Sequence, residues 1–284
     1  VQGQTPEQSG RTSFDQVILR PRLEAALQRI NPFLQSEQVD EVVRRITTFP
    51  GGSLLENNQY VLGLLLGNTS VAANHVTGEK SPTVRYVDFA NPANNDFTAI
   101  SQFKVRVTGT DHHIVPDIVL FLNGLPVAVI ECKSPNVKEP IAEAIDQLLR
   151  YSEQRDAGSE GNANLFAYNQ MLVATCRVQA KFGTITTHIE KHWFRWTDPY
   201  PLTLDDLPHG ATSPNDQQRL AAGMFARQNL LELIQSFTLF ATDDKGRTIK
   251  IVARYQQYRA VKKALERLRT GPTPYARSGI IWHT

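Results

Sequence analysis

The sequence predicts an α/β protein built as a mixed sheet flanked by helices. Three observations carry that expectation. Two nearly unbroken apolar runs, residues 116–122 and 126–133, flank Asn123-Gly124; an amphipathic helical pattern follows over residues 140–153; and another apolar run returns over residues 169–176 (NQMLVATC). Asn-Gly between two such runs is the strongest short-range hairpin signal. Unbroken apolarity marks central strands covered on both faces. Strands, a covering helix and a returning strand make a mixed sheet.

Taken in order, residues 1–11 (VQGQTPEQSGR) are polar, contain Pro and Gly and lack periodicity, so residues 1–12 are expected to be a mobile tail, with the fold beginning at Ser13. Over residues 14–48, Val17, Leu23, Ala26, Leu27 and Ile30, then Val39, Val42, Val43 and Ile46, recur at helical spacing and predict two helices broken at Asn31-Pro32. Residues 60–66 (YVLGLLL), 83–89 (TVRYVDF) and 96–107 (DFTAISQFKVRV) are rich in β-branched and aromatic residues and predict strands, the first also readable as the end of a helix. Residues 140–153 (PIAEAIDQLLRYSE) place Ile141, Ala144, Ile145, Leu148 and Leu149 on one helical face, with Pro140 in the first turn. These elements assign residues 13–197 to one domain.

The Pro- and acid-rich stretch 198–216 (DPYPLTLDDLPHGATSPND) reads as a linker. Beyond it the pattern predicts one helix over residues 217–235, a basic amphipathic helix over 255–269 (YQQYRAVKKALERLR) and an apolar strand over 278–282. A strand placed there reads as the start of an incomplete further domain.

Composition bounds the function without naming it. A chain of 284 residues suits one and a half to two domains. With 41% hydrophobic and 20% charged residues it is neither disordered nor membranous in composition. A net charge of +2 means that any binding to DNA needs a local basic patch. The cysteines, Cys132 and Cys176, form no disulfide framework and lack metal-ligand spacing, which fits a reducing cytoplasm; a bridge between them is the disfavoured alternative. The longest apolar run, residues 60–66, falls far short of the roughly 20 residues a membrane span needs, and no signal peptide opens the sequence. A cytoplasmic location is expected.

The chemistry lies in the hairpin. Pro116-Asp117 is followed, fourteen residues after the aspartate, by Glu131-Cys132-Lys133. On a strand Glu131 and Lys133 leave the same face and Cys132 the other. Charges among Val127, Val129 and Ile130 are costly unless paired or metal-bound. Whether Asp117 joins them depends on register. A plain two-residue turn at Asn123-Gly124 sets Asp117 opposite Ile130 and turns it away from Glu131. A bulged three-residue loop 123–125, with Leu122 facing Pro126, or an equivalent one-residue shift, brings Asp117 across from Glu131. Two carboxylates there can chelate Mg²⁺ through oxygen, with Lys133 beside an activated water or a phosphate. The plainer reading is an aspartate that starts a strand and an edge ion pair between Glu131 and Lys133. Against it stand Pro116 directly before Asp117, the hairpin joining the groups, and Gln147 with Tyr151 one turn apart on the following helix, whose shared face Arg150 also nearly joins.

The order P-D, E-x-K, Q-x-x-x-Y resembles the RecB-like branch of PD-(D/E)xK nucleases, and PDIVLFLNGLPVAVIECKSP resembles the nuclease domain of the restriction (motor) subunit of type I restriction-modification enzymes. ARYQQYRAVKKALERL and GIIWHT are similar to the entrance of that subunit's superfamily 2 helicase motor. The resemblance implies a restriction-endonuclease-like sheet over residues 13–197 and, over 217–284, a helical connection with the beginning of a RecA-like helicase domain that stops before the phosphate loop. It implies Asp117 and Glu131 as ligands of Mg²⁺, Lys133 as the catalytic lysine, Gln147 and Tyr151 as the auxiliary pair, and Gln257, or its neighbour Gln256, as an adenine contact for ATP in the full-length protein. Glu56 and Glu41 are candidates for the further acidic residue that the family commonly adds upstream. His112 and His113 are given no role. Double-stranded DNA and the methyltransferase and specificity subunits are the implied partners. The implied activity is DNA cleavage coupled to ATP-driven translocation, which this chain alone, without a phosphate loop, is not expected to drive. A non-catalytic DNA-binding or subunit-docking module that retains the nuclease fold is the main alternative, and a free-standing nuclease such as a junction resolvase the second.

Overall fold

In the computed structural model, which describes residues 1–67, 69–73, 76–155, 160–208 and 213–281, helices α1 (Arg20–Ile30) and α2 (Ser36–Thr47) fall where the periodicity puts them, burying Leu23, Ala26 and Leu27, then Val39, Val42, Val43 and Ile46. Residues 60–66 are not a strand. They end α3 (Leu54–Leu65), which a Ser53–Glu56 capping box starts and which buries Val61, Leu62, Leu64 and Leu65 at helical spacing. Residues 83–89 also form no strand beyond an isolated bridge between Ser70 and Thr83. The Asn31 side chain accepts from the Arg85 N–H at 2.8 Å and donates to its carbonyl at 2.7 Å, standing in for a ladder neighbour.

The sheet runs in the order β1 (Phe97–Ser101), β4 (Ile118–Leu122), β5 (Leu125–Lys133), β6 (Met171–Cys176), β7 (Gln179–Gly183), antiparallel throughout except between β5 and β6. The stretch expected as one strand over 96–107 breaks at Gln102, whose φ of 54° ends β1; the chain resumes as β2 (Val105–Arg106), paired with β3 (His113–Ile114). Because β5 and β6 are parallel they need a crossover, and α4 (Pro140–Tyr151) supplies it, packing Ile141, Ala144, Ile145 and Leu148 against both strands. Helix α5 (Ala163–Ala167) leads into β6.

Residues 1–11 are docked, contrary to a mobile tail. The Ser101 N–H donates to the Val1 carbonyl at 2.9 Å and the Gly3 N–H to the Ser101 carbonyl at 2.8 Å, which extends the edge of β1. Arg11, only 3% exposed, donates to Ser9 and to the carbonyls of Gln16 and Lys104 and lies over the Phe103 ring. Polar composition hid this because the anchors are backbone groups and one arginine guanidinium.

Downstream, the single helix expected over 217–235 is two, α6 (Asp216–Met224) and α7 (Arg227–Ser236), parted where the Asn229 amide takes the Gly223 carbonyl at 2.6 Å. A hairpin of β8 (Thr238–Thr242) and β9 (Thr248–Val252) follows, then α8 (Tyr255–Thr270) and the short α9 (Pro274–Arg277). Residues 278–281 belong to no strand, with Ile280 and Ile281 exposed; residue 282, the last of the expected strand, lies outside the described residues. An apolar strand of that kind needs neighbours on both edges, and among the described residues none lies beside it. No helix among the described residues is long and apolar enough to cross a membrane.

This downstream part is tied to the sheet by Lys250 of β9. Its ammonium is fully buried and donates to Asn58 Oδ1 at 2.7 Å, the Asn169 carbonyl at 2.9 Å and Gln170 Oε1 at 2.7 Å. Burial pushes its pKa well below the usual lysine range, and the three acceptors share the charge without a carboxylate. Replacing Lys250 by Met leaves Asn58 Oδ1 and Gln170 Oε1 unsatisfied, while the Asn169 carbonyl keeps the Asn58 amide at 2.7 Å, so K250M is expected to cost about 2–4 kcal/mol of stability, read from the urea midpoint. A change within about 0.5 kcal/mol would show that the ammonium does not hold the joint.

Candidate active site

The register of the β4–β5 hairpin decides what shares a face. Asn123 and Gly124 have φ values of 51° and 79°, both left-handed as a type I′ turn requires, and Leu122 pairs with Leu125. The turn is thus the two-residue one, not the bulged loop with Leu122 facing Pro126. Only glycine fits at position 124, because a Cβ there would lie 2.5 Å from the Leu19 carbonyl oxygen. Asn123 is buried, accepting from the Asp96 N–H at 2.7 Å and donating to the Tyr86 carbonyl at 2.8 Å.

The one-residue shift occurs further along. Phe121 pairs with Pro126 but Leu120 pairs with Ala128, so Val127 is an extra residue on β5. From there Val119 faces Val129 and Ile118 faces Ile130, and the next step sets Asp117 against Glu131. Asp117 Oδ2 accepts from the Cys132 N–H at 2.8 Å, and Oδ1 from the Gln102 amide at 2.9 Å.

Glu131 is 2% exposed. Its Oε1 accepts from Gln147 Nε2 at 2.5 Å and lies 3.8 Å from Lys133 Nζ, while its buried Oε2 has no hydrogen-bond partner. Burial first, and the Asp117 charge second, push its pKa up to about 8. Lys133 donates to Gln147 Oε1 and lies 3.6 Å from Glu143. The Gln147 amide therefore binds both charged groups, and its Nε2 also reaches the Tyr151 hydroxyl at 2.7 Å. Burial, then Glu131, raises the Tyr151 pKa, which keeps its hydroxyl protonated. Asp117, Glu131, Lys133, Gln147 and Tyr151 are all in this cluster; Arg150 instead pairs with Asp146 at 3.4 Å.

Other candidates lie elsewhere. Glu56 is exposed and tied to Ser53 in the cap of α3, and Glu41 pairs with Arg45 at 2.6 Å. Among the described residues no group of three His, Cys, Asp or Glu side chains could hold a metal, so neither completes the Asp117–Glu131 pair. Cys132 and Cys176 are free; they sit one register step apart on neighbouring strands and so point to opposite faces. Burial, then Asp117, pushes the Cys132 thiol up to about 11, leaving it protonated and a poor metal ligand. Gln257 is exposed and its Oε1 accepts from the Arg254 N–H at 2.9 Å as part of the α8 cap; Gln256 is also exposed. His113 packs edge-on against Phe14. A cavity of about 870 Å³ opens between β7 and the β8–β9 hairpin, but none of the clustered groups lines it, and its Thr184, Thr186, Arg247 and Lys250 are bonded within the protein.

Two members were not singled out from sequence. Glu143 lies one turn before Gln147 on the helix face of Tyr151, a spacing that could have found it. Gln102 carries no local signal. The carboxylate pair with an unpartnered buried oxygen fits a small hard cation that keeps several waters, so Asp117 and Glu131 are the residues that could hold one.

The fold and this cluster define a mixed α/β protein with a paired-carboxylate, lysine site on adjacent strands. Residues 1–191 match the family model described as Type I restriction enzyme R protein N terminus, and the chain belongs to that family. It is 32% identical over 271 residues to the type I restriction enzyme HindI endonuclease subunit of Haemophilus influenzae, covering 94% of this chain and 24% of that protein. It is 27% identical to the putative type I restriction enzyme MjaIXP endonuclease subunit of Methanocaldococcus jannaschii, over 98% of this chain and 27% of that one, and 23% identical to the SauCOLORF180P endonuclease subunit of Staphylococcus aureus, over 80% and 22%. The chain spans about a quarter of the length of these relatives.

Glu131 also sets a pH dependence. Its folded pKa lies above the unfolded value of 4.5, so the folded state holds the extra proton; the stability that proton contributes is full below pH 4.5 and is lost as pH rises through about 8. With a chelator present, stability is expected to fall across that window by a few kcal/mol at most, and E131Q to flatten the fall. Parallel wild-type and E131Q profiles in chemical denaturation would reject the assignment.

Proposed function

We propose that this chain is the DNA-cutting part of a type I restriction endonuclease subunit and hydrolyses phosphodiester bonds with Mg²⁺ held by Asp117 and Glu131. The observation that carries the reading is the Val127 bulge, which sets Asp117 against Glu131 on the face that also bears Lys133. Mg²⁺, when bound, supplies polarisation of the phosphate and acidification of a water. The Lys133 ammonium, 15% exposed at its side chain, orients that water or offsets charge on the phosphate oxygens. Gln147 keeps Lys133 and Glu131 in one arrangement, and Tyr151 limits the rotation of the Gln147 amide. Double-stranded DNA is the substrate. In the longer protein, cleavage is coupled to ATP-driven translocation within a complex containing methyltransferase and specificity subunits, and Gln257, or its neighbour Gln256, contributes an adenine contact.

A non-catalytic docking module has no use for a buried carboxylate with an unpartnered oxygen, since apolar replacement would remove a desolvation penalty of several kcal/mol. D117A, E131A or K133A, placed in the complete subunit and assembled with its partners, is expected to lower Mg²⁺-dependent DNA cleavage by at least about 100-fold while assembly and ATP hydrolysis persist. Cleavage at the wild-type rate in all three would exclude this site from the chemistry.

A further inference from the structure

We propose that Gln102 is a positioning residue that fixes the Asp117 carboxylate, an inference that rests on the metal-site reading above. One step beyond the β1–β4 ladder, the Gln102 N–H donates to the Asp117 carbonyl at 2.8 Å and its side-chain amide to Asp117 Oδ1 at 2.9 Å. The neighbouring Phe103 N–H donates to the Pro116 carbonyl at 3.0 Å. Gln102 thus grips the aspartate by backbone and side chain together. With Oδ2 taken by the Cys132 N–H, neither oxygen can turn without breaking a bond, and each keeps a lone pair for a cation.

Gln102 holds this place in a left-handed conformation, φ 54°, which a residue with a Cβ adopts at a cost and which clusters at functional sites. The conformation is enforced from both sides. Before it, Ser101 is paired with Val1 and Gly3; after it, the Lys104 N–H donates to the Gly3 carbonyl at 3.0 Å, and the Lys104 carbonyl accepts from Arg11 Nη2 at 3.0 Å. The Arg11 guanidinium, 3.8 Å above the Phe103 ring, closes the clamp. Glycine would take this backbone without strain. A side chain at this position therefore serves what its amide touches, and that is Asp117.

The test separates fold from positioning. Gln102→Gly relieves the backbone strain, which offsets the lost amide contact and the added freedom of the unfolded chain, so in the 284-residue chain its thermal midpoint is expected to stay close to that of the wild type. Its affinity for Mn²⁺, read from loss of the free-ion electron paramagnetic resonance signal, is expected to fall about tenfold, the scale for an outer-shell partner of a metal ligand. D117A run beside it sets the baseline. If D117A abolishes binding and Gln102→Gly binds as wild type, the positioning role is overturned and the metal site stands. If D117A binds as wild type, the metal reading falls and the positioning role falls with it.

Discussion

Proline 126 cannot donate a backbone hydrogen bond, and the geometry of the candidate site depends on how β5 accommodates it. A proline inside a covered strand is tolerated at a bulge, and the extra residue, Val127, follows directly. The bulge is itself satisfied from the neighbouring strand entrance, with the Val127 carbonyl accepting from the Gln170 N–H at 2.7 Å and the Pro126 carbonyl from the Asn169 amide at 2.5 Å. Without the extra residue, the type I′ turn at Asn123-Gly124 would project Asp117 and Glu131 to opposite faces. One extra residue in β5 thus brings two carboxylates and an ammonium to the same face of the hairpin.

That cluster is electrostatically incomplete in a definite direction. Lys133 lies on the Oε1 side of Glu131, shared with Gln147, and leaves Oε2 buried without a partner. Two carboxylates against one nearby lysine ammonium leave excess negative charge in a desolvated place, which a proton or a cation can offset. Among the described residues no further basic side chain pairs with either carboxylate; Arg150, within reach by helical spacing, pairs with Asp146 instead. The desolvation cost falls where the proposed Mg²⁺ would offset it, the trade expected of a working site.

How much of this could be read in advance follows the physics of each signal. The hairpin, α4 and β6 were legible because burial on fixed periods is a property of consecutive residues, and E-x-K with Q-x-x-x-Y was legible because strands and helices have known repeats. The location of the bulge was legible in principle, since Pro126 marks it, although the turn draws attention first. Residues 60–66 and 83–89 misled because short apolar runs do not distinguish a helix from an extended segment; the Ser53–Glu56 box and the Asn31 side chain decided them. Gln102 and the docked N-terminal segment were not legible, because a left-handed residue and backbone pairing across about a hundred positions leave no local pattern.

Lys250 gives the same lesson at the scale of the whole chain. A lysine on a half-exposed hairpin strand reads as a solvated residue, yet its ammonium is surrounded by oxygens that the sheet leaves pointing outward. Two of those acceptors belong to Asn169 and Gln170, the residues that satisfy Pro126 and Val127. The segment that supports the bulge is therefore held on one side by β5 and on the other by β9. An apolar side chain in place of Lys250 could fill the volume but could not satisfy Asn58 Oδ1 and Gln170 Oε1, and water would have to enter next to the support of the hairpin register. The downstream hairpin is in this sense part of the structure that keeps Asp117 opposite Glu131, even though none of its residues lies in the site.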